Sequence, residues 1–270
     1  MMSAGGRPLV AHFHSDIVRQ KFALRIYGPL LRSFYARASC IVVPTPNHIE
    51  ISCFVSQFKE KCRVVPYGIC LPRFDYTEPV ALRTGKLRET GRAVLFVGRL
   101  VYYKGLEYLV EAMSGINATL WIIGSGPLES KLKQMTAQLN LQARINFLGD
   151  VADEDMPAYY HACDVFVLPS VANSEMFGLV QLEAMACRKP VVATSLPTGV
   201  SWVNQHGVTG LLVPPRDARS LAEAINKLLD NEAMRQELGG AGRQRVEKEF
   251  TATRMAEGMM EVYRDVSGAG

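Results

Sequence analysis

No apolar run in this chain approaches the roughly 20 residues needed to cross a bilayer, so a membrane-spanning helix is not expected. The opening "MMSAGGRPLV" has no hydrophobic stretch of the kind a secretory signal needs. The six cysteines (Cys40, Cys53, Cys62, Cys70, Cys163, Cys187) are scattered without a CxxC pair, which argues against a zinc site or a disulfide framework. These absences together lead us to expect a cytoplasmic protein with reduced thiols. Internal repeats and low-complexity tracts are missing too. No cationic stripe is interleaved with stacking aromatics, and no zinc-finger or helix-turn-helix spacing occurs, so nucleic acid is not an expected partner. Dinucleotide binding needs GxGxxG after a strand. The nearest candidate, "GSGPLE" (124–129), has Glu129 where the third glycine belongs. The acid–x–acid triplet "DED" (153–155) fits a helix start better than a metal site, because acids there cap the helix and favour its dipole. No cofactor and no metal are expected.

What is present is an ordinary globular composition, 48% hydrophobic and 21% charged in 270 residues, enough for one large domain or two modest ones. The net charge of +4 is unevenly spread. Residues 1–92 hold 14 Lys and Arg against 6 Asp and Glu; residues 93–270 hold 16 against 20. A basic front and a mildly acidic back suggest units with different partners. The front is either a solvated basic helix face or a surface that touches an anionic membrane, which would make the protein peripheral at the inner face of the membrane.

From Arg92 onward, strand and helix patterns alternate. "AVLFVG" (93–98), "TLWII" (119–123), "RINFLG" (144–149), "DVFVLPS" (164–170), "PVVAT" (190–194) and "GLLVP" (210–214) read as strands, with helical runs between them. This α/β alternation predicts a doubly wound parallel sheet whose ligand sits at the carboxyl ends of the strands. The front holds fewer strands: "PLVAHFHSD" (8–16), "CIVVPT" (40–45) and "CRVVPYGIC" (62–70), with helices over 17–38 and 48–58. Residues 77–92 read as a linker, and 234–266 as two helices with a glycine-containing interruption. The expected division is a partial Rossmann-like unit with linker over 1–85, a complete Rossmann-like unit over 86–250 and a C-terminal helix over 251–270.

The loops after the strands carry the chemistry. Glu183 lies in the otherwise apolar helical run of "SEMFGLVQLEAMACRKPVVAT" (174–194), where an ionised carboxylate is costly unless something binds it or it reaches solvent. A carboxylate that faces the crevice can accept two hydrogen bonds from a vicinal diol such as a ribose. Glu175 lies in the preceding loop. After the first strand of the back unit, Gly98 ends the strand, and Arg99 and Lys104 flank a short loop that opens a helix. Two cations there suit a diphosphate, Arg as a planar fork and Lys as a point charge. Solvated surface cations are the plainer alternative.

The segments "GRLVYYKG" and "EMFGLVQLEAMA…PVVA" resemble the signature segments of the retaining glycosyltransferases of family four, which have the GT-B fold. "RINFLGDV" (144–151) and "HGVTGLLVPPRD" (206–217) resemble that family's segments in the same order, and "TSLPTGVSWVNQHGVTG" is most similar to members that build bacterial cell-surface polysaccharides. The resemblance implies an enzyme that moves a sugar from a nucleotide-sugar donor to a glycan or lipid-linked acceptor, with retained anomeric configuration. It implies that Arg99 and Lys104 hold the donor diphosphate, Glu183 the ribose and Glu175 the donor sugar. It places backbone amides of Phe177, Gly178 and Leu179 against sugar or phosphate, and the backbone of Val151 against the base. His14 matches a histidine beside the sugar; read alone, it would be a core histidine. Arg188 stands where members usually carry glycine, and Cys70 where they carry an acid. Members begin with a fuller N-terminal sheet, so the resemblance also admits a donor-binding module without transferase activity.

Overall fold

The structure is a computed structural model. It describes residues 7–15 and 21–268, without the side chains of 21–26. Arg19 and the expected helical start over 17–20 lie outside the described residues, as do the side chains of Lys21 and Arg25.

The front unit holds β1 (Val10–His12), α1 (Lys21–Arg37), β2 (Cys40–Val43), α2 (Pro46–Ile51) and β3 (Cys62–Val64). Its three strands are parallel, in the order β1-β2-β3. The expected helix over 48–58 is instead α2 followed by a 3-10 segment, Val55–Lys61. The segment expected to be a linker forms α3 (Glu78–Arg88). Val80 and Thr84 on α3 are buried, and the Thr84 hydroxyl donates to the Ala158 carbonyl at 3.4 Å. Packing against a later helix decides that assignment, and local sequence does not reveal it.

The back unit contains β4 (Ala93–Val97), α4 (Leu106–Ala112), β5 (Thr119–Ile123), α5 (Glu129–Gln138), β6 (Ile145–Gly149), α6 (Met156–Ala162), β7 (Val165–Leu168), α7 (Leu179–Ala186), β8 (Val191–Thr194), α8 (Gly199–Val203), β9 (Gly210–Val213), α9 (Ala218–Leu229) and α10 (Glu232–Glu249). All six expected strands form one parallel sheet, in the order β6-β5-β4-β7-β8-β9. Period-two alternation explains both covered faces. Val94 and Phe96 face the core shared with α4 and α9, while Ala93 and Leu95 face the core shared with α6, α7 and α10. Every one of these side chains is fully buried, which is why β4 reads as a continuous apolar run.

Helix starts follow side-chain caps. Asp217 accepts from the Ser220 amide at 2.9 Å, Asn231 from Met234 at 2.9 Å and Thr251 from Arg254 at 3.1 Å. Asp155 does not cap α6 as expected; its carboxylate pairs with Arg83 at 2.6 Å, and Asp153 pairs with Arg73 at 2.7 Å. The glycines of 239–242 do not interrupt the tail. Helix α10 runs through them because a side chain at Gly239 would lie 2.1 Å from the Arg188 carbonyl, and one at Gly242 would press on Met185. The break falls at Phe250–Thr251, and α11 (Ala252–Ser267) returns to the front sheet, where Met259 and Val262 pack on Cys40, Val42 and Val65. Burial pushes the Cys163 thiol up to about 12 and raises Cys187 as well, so both behave as inert core groups. No helix among the described residues is long and apolar enough to cross a membrane.

Candidate functional site

The strand order of the back sheet reverses direction at β4. To one side lie β5 and β6; to the other lie β7, β8 and β9. Loops diverge at such a switch point and leave a crevice beyond the carboxyl ends of the strands. The two loops that border it are those after β4 and β7, the segments that carry the expected cations and carboxylates. They are tied to each other by the Val171 amide, which donates to the Tyr103 carbonyl at 2.8 Å.

Backbone geometry shapes the first loop. Gly98 has φ 148°, and a Cβ there would lie 3.4 Å from Cε of Lys104. Any other residue would be strained and would crowd the lysine. Lys104 folds back into the crevice, and its Nζ meets Oε2 of Glu175 at 2.6 Å, with the two side chains only 11% and 9% exposed. The Ser170 hydroxyl donates to the same oxygen at 2.9 Å. The family resemblance assigned Lys104 to the diphosphate and Glu175 to the donor sugar; the fold joins them in one buried ion pair. Arg99 is exposed and makes no ion pair among the described residues, so its guanidinium is free for an incoming anion.

Gly178 begins α7 at φ 73°, where a Cβ would approach Leu168 to 2.6 Å. The first turn of α7 then leaves its N–H groups without intrahelical acceptors, at the positive end of the helix. The Phe177 side chain is buried against Tyr67 and Phe250, while Leu179 is exposed. Glu183 sits in the second turn. Its Oε2 accepts a 2.5 Å hydrogen bond from the fully buried Tyr160 hydroxyl. Burial pushes the Glu183 carboxyl above its ordinary range, and the Tyr160 hydrogen bond opposes that shift. Glu183 lines a cavity of about 360 Å³ with Gly98, Arg99, Val151, Arg73 and Asp153. A larger cavity, of about 430 Å³, opens at the opposite, amino edge of the sheet, away from all of these groups.

His14 comes from the front unit. Its Nδ1 lies 2.6 Å from the Tyr67 hydroxyl and its ring stacks on Tyr67 with centroids 6.0 Å apart, while Tyr67 packs edge-on against Phe177 at 5.0 Å. An aromatic chain therefore links the end of β1 to the start of α7. Burial raises the Tyr67 hydroxyl, so it stays protonated and able to donate. Reading the sequence missed Tyr67, Arg73, Tyr160 and Ser170. Only the Tyr and Ser neighbours of recognised segments offered any signal, and nothing in the spacing tied Tyr160 to Glu183 across 23 residues.

Comparison with known proteins places this geometry. The family described as glycosyl transferases group 1 matches residues 81–245. The chain is 37% identical over 248 residues to the D-rhamnosyltransferase WbpZ of Pseudomonas aeruginosa, covering 91% of this chain and 64% of that protein. It is 35% identical over 268 residues to the O-antigen chain mannosyltransferase C of Escherichia coli, covering 97% of this chain and 71% of that protein. It thus spans roughly two thirds of the length of these relatives. Among solved structures, sucrose-phosphate synthase from Thermosynechococcus elongatus superimposes with a TM-score of 0.81 at 30% identity, over 97% of this chain and 68% of that one. HepE of Anabaena, solved in complex with UDP, superimposes with a TM-score of 0.86 at 24% identity, over 96% of this chain and 72% of that one, and shows the shared fold. Two parallel α/β sheets, a crevice at the switch point and these matches agree: the chain belongs to the group 1 glycosyl transferases and has the GT-B fold.

Proposed function

We propose that this chain carries the donor site of a glycosyltransferase that moves a sugar from a nucleotide sugar to a glycan or lipid-linked acceptor, with retention of anomeric configuration. The observation that carries the proposal is Glu183: a half-buried carboxylate, braced by Tyr160 on one side, lines a cleft of about 360 Å³ on the other. A ribose diol satisfies its free acceptor capacity. The backbone at Val151 meets the base. Arg99 and Lys104, with the amides of Phe177, Gly178 and Leu179, receive the diphosphate and the sugar. Glu175 holds sugar hydroxyls near the reacting carbon. With Tyr67 donating to Nδ1, His14 carries its proton on Nε2 and donates to the sugar from the opposite wall. Complexes of HepE with UDP, and with UDP and glucose, support this class of donor. In this reading residues 1–85 form the acceptor-side unit, 86–250 the donor-binding unit and 251–270 the helix that returns to the front.

Protein cations stabilise the departing diphosphate as preorganised charges, the role a metal plays elsewhere. Transfer is expected to give a product with the donor's anomeric configuration and to proceed in EDTA. Proton NMR of the earliest product reads the anomer; an inverted product, or activity lost in EDTA and restored by magnesium, overturns this reading.

The front unit is proposed to touch an anionic membrane surface. Tyr27, Leu30 and Phe34 are 56%, 49% and 43% exposed at helical spacing along α1, with Arg32 and Arg37 on the same helix. Sedimentation is expected with anionic vesicles and not with neutral ones, weakening with salt as charges are screened beyond about 8 Å at physiological ionic strength. Equal binding to both lipids ends the idea.

A further inference from the structure

The cavity of about 430 Å³ at the amino edge of the back sheet has no role in the donor chemistry. It is lined by the residues that precede three strands: Arg92 before β4, Asp164 before β7 and Lys189 before β8. The end of α3 contributes Arg88, the end of α7 Arg188, and the first turns of α10 contribute Glu232 and Arg235. Five cations therefore face two carboxylates.

Most of these cations have structural work that leaves donors over. Arg88 and Lys189 both donate to the His161 carbonyl, at 3.0 and 2.9 Å, which closes the end of α6. Arg92 pairs with Asp230 at 2.8 Å, and Arg235 donates to the Leu228 and Leu229 carbonyls at 2.7 Å. Asp164 is 3.9 Å from Arg235 and also accepts from the Ala93 amide at 2.9 Å, while Glu232 accepts from Gln236 at 3.1 Å. The two carboxylates are thus partly occupied and do not neutralise the cluster. Lys189 has no carboxylate partner, and burial lowers its pKa. The Arg188 guanidinium makes no hydrogen bond or ion pair among the described residues; only its backbone amide is used, donating to the Met185 carbonyl at 2.9 Å, and its backbone is left-handed at φ 57°. That conformation is strained for an L-residue, and a glycine adopts it freely. A strained backbone here holds an unpaired guanidinium over a cavity already rich in cations.

We propose that this cavity binds a phosphate-bearing anion, at a second site remote from the donor cleft. Guanidinium forks receive phosphate oxygens in pairs, the half-buried Lys189 adds a point charge, and the volume suits a sugar phosphate or a mononucleotide. The phosphate can be free in solution or carried by a lipid headgroup.

The test is a calorimetric titration of inorganic pyrophosphate into the full chain, its Arg188→Gly variant and its Arg99→Ala variant, with sedimentation on phosphatidylglycerol vesicles in parallel. Arg188→Gly removes the cation while relieving the left-handed strain, so its unfolding midpoint is expected to stay level or rise; lost binding then cannot be lost folding. The expected result is two pyrophosphate sites, one weakened at least five-fold by Arg188→Gly and the other by Arg99→Ala. If Arg188→Gly weakens only the vesicle contact, the phosphate belongs to a headgroup. If Arg188→Gly changes neither pyrophosphate nor vesicle binding, the second site does not exist. If Arg188→Gly acts and Arg99→Ala does not, this site stands and the donor-site assignment fails.

Discussion

Replacing Lys104 with methionine is expected to lower the unfolding free energy by about 3–5 kcal/mol, because it leaves the Glu175 carboxylate in a crevice without its cation. The pair is close, at 2.6 Å, and nearly enclosed, so water does little to screen the orphaned charge. Adding Glu175→Gln to Lys104→Met is expected to recover most of the loss, since a neutral amide can keep the Ser170 hydrogen bond at much lower desolvation cost. Denaturant unfolding of the single and double variants reads both numbers. If Lys104→Met costs less than about 1 kcal/mol, the pair behaves as a surface salt bridge and its structural role is wrong. The donor prediction runs alongside it: a bound diphosphate competes with Glu175 for Lys104, so donor stabilises the parent chain more than the double variant.

Glu183→Ala is expected to weaken nucleotide-sugar binding by about 1.5–3 kcal/mol, roughly 10- to 150-fold, the range for hydrogen bonds to a charged group. Glu183→Gln keeps one acceptor and costs less. The pH dependence adds a second reading. The folded-state pKa of Glu183 is raised by burial, so the folded chain holds this proton more tightly than the unfolded one. Its contribution to stability therefore falls as pH rises from the ordinary carboxylate range through the raised value. Donor binding uses the ionised form and moves the other way: it is lost as pH falls through that same raised value. Calorimetry and thermal unfolding across this window are expected to give opposite slopes, both flattened in Glu183→Gln. Unchanged donor affinity in Glu183→Ala removes Glu183 from the site.

The back sheet was legible because each strand is a short apolar run that ends in a turn, and because a parallel sheet covered on both faces tolerates few polar residues. All six runs, from 93–98 to 210–214, became strands. The front and the connections were less legible. Residues 77–92 carry no strong amphipathic pattern, and α3 exists through its contact with α6. The tail glycines looked like a break because glycine weakens an isolated helix; here close packing on Arg188 and Met185 repays that weakness.

The candidate site divides along the same line. Gly98, Arg99, Lys104 and Glu175 stand out because they follow the ends of apolar runs, and Glu183 because it interrupts one. That selection is local, so the sequence by itself determined it, together with the parallel α/β class. It could not determine that the loops after β4 and β7 touch, because their adjacency depends on the order β6-β5-β4-β7-β8-β9 and not on chain distance. Only the tertiary structure joined Lys104 to Glu175, braced Glu183 with Tyr160 and set His14 against Tyr67. Local spacing governs helix and strand, whereas partners across a sheet are chosen by which strands hydrogen-bond, a non-local energy that no stretch of sequence contains.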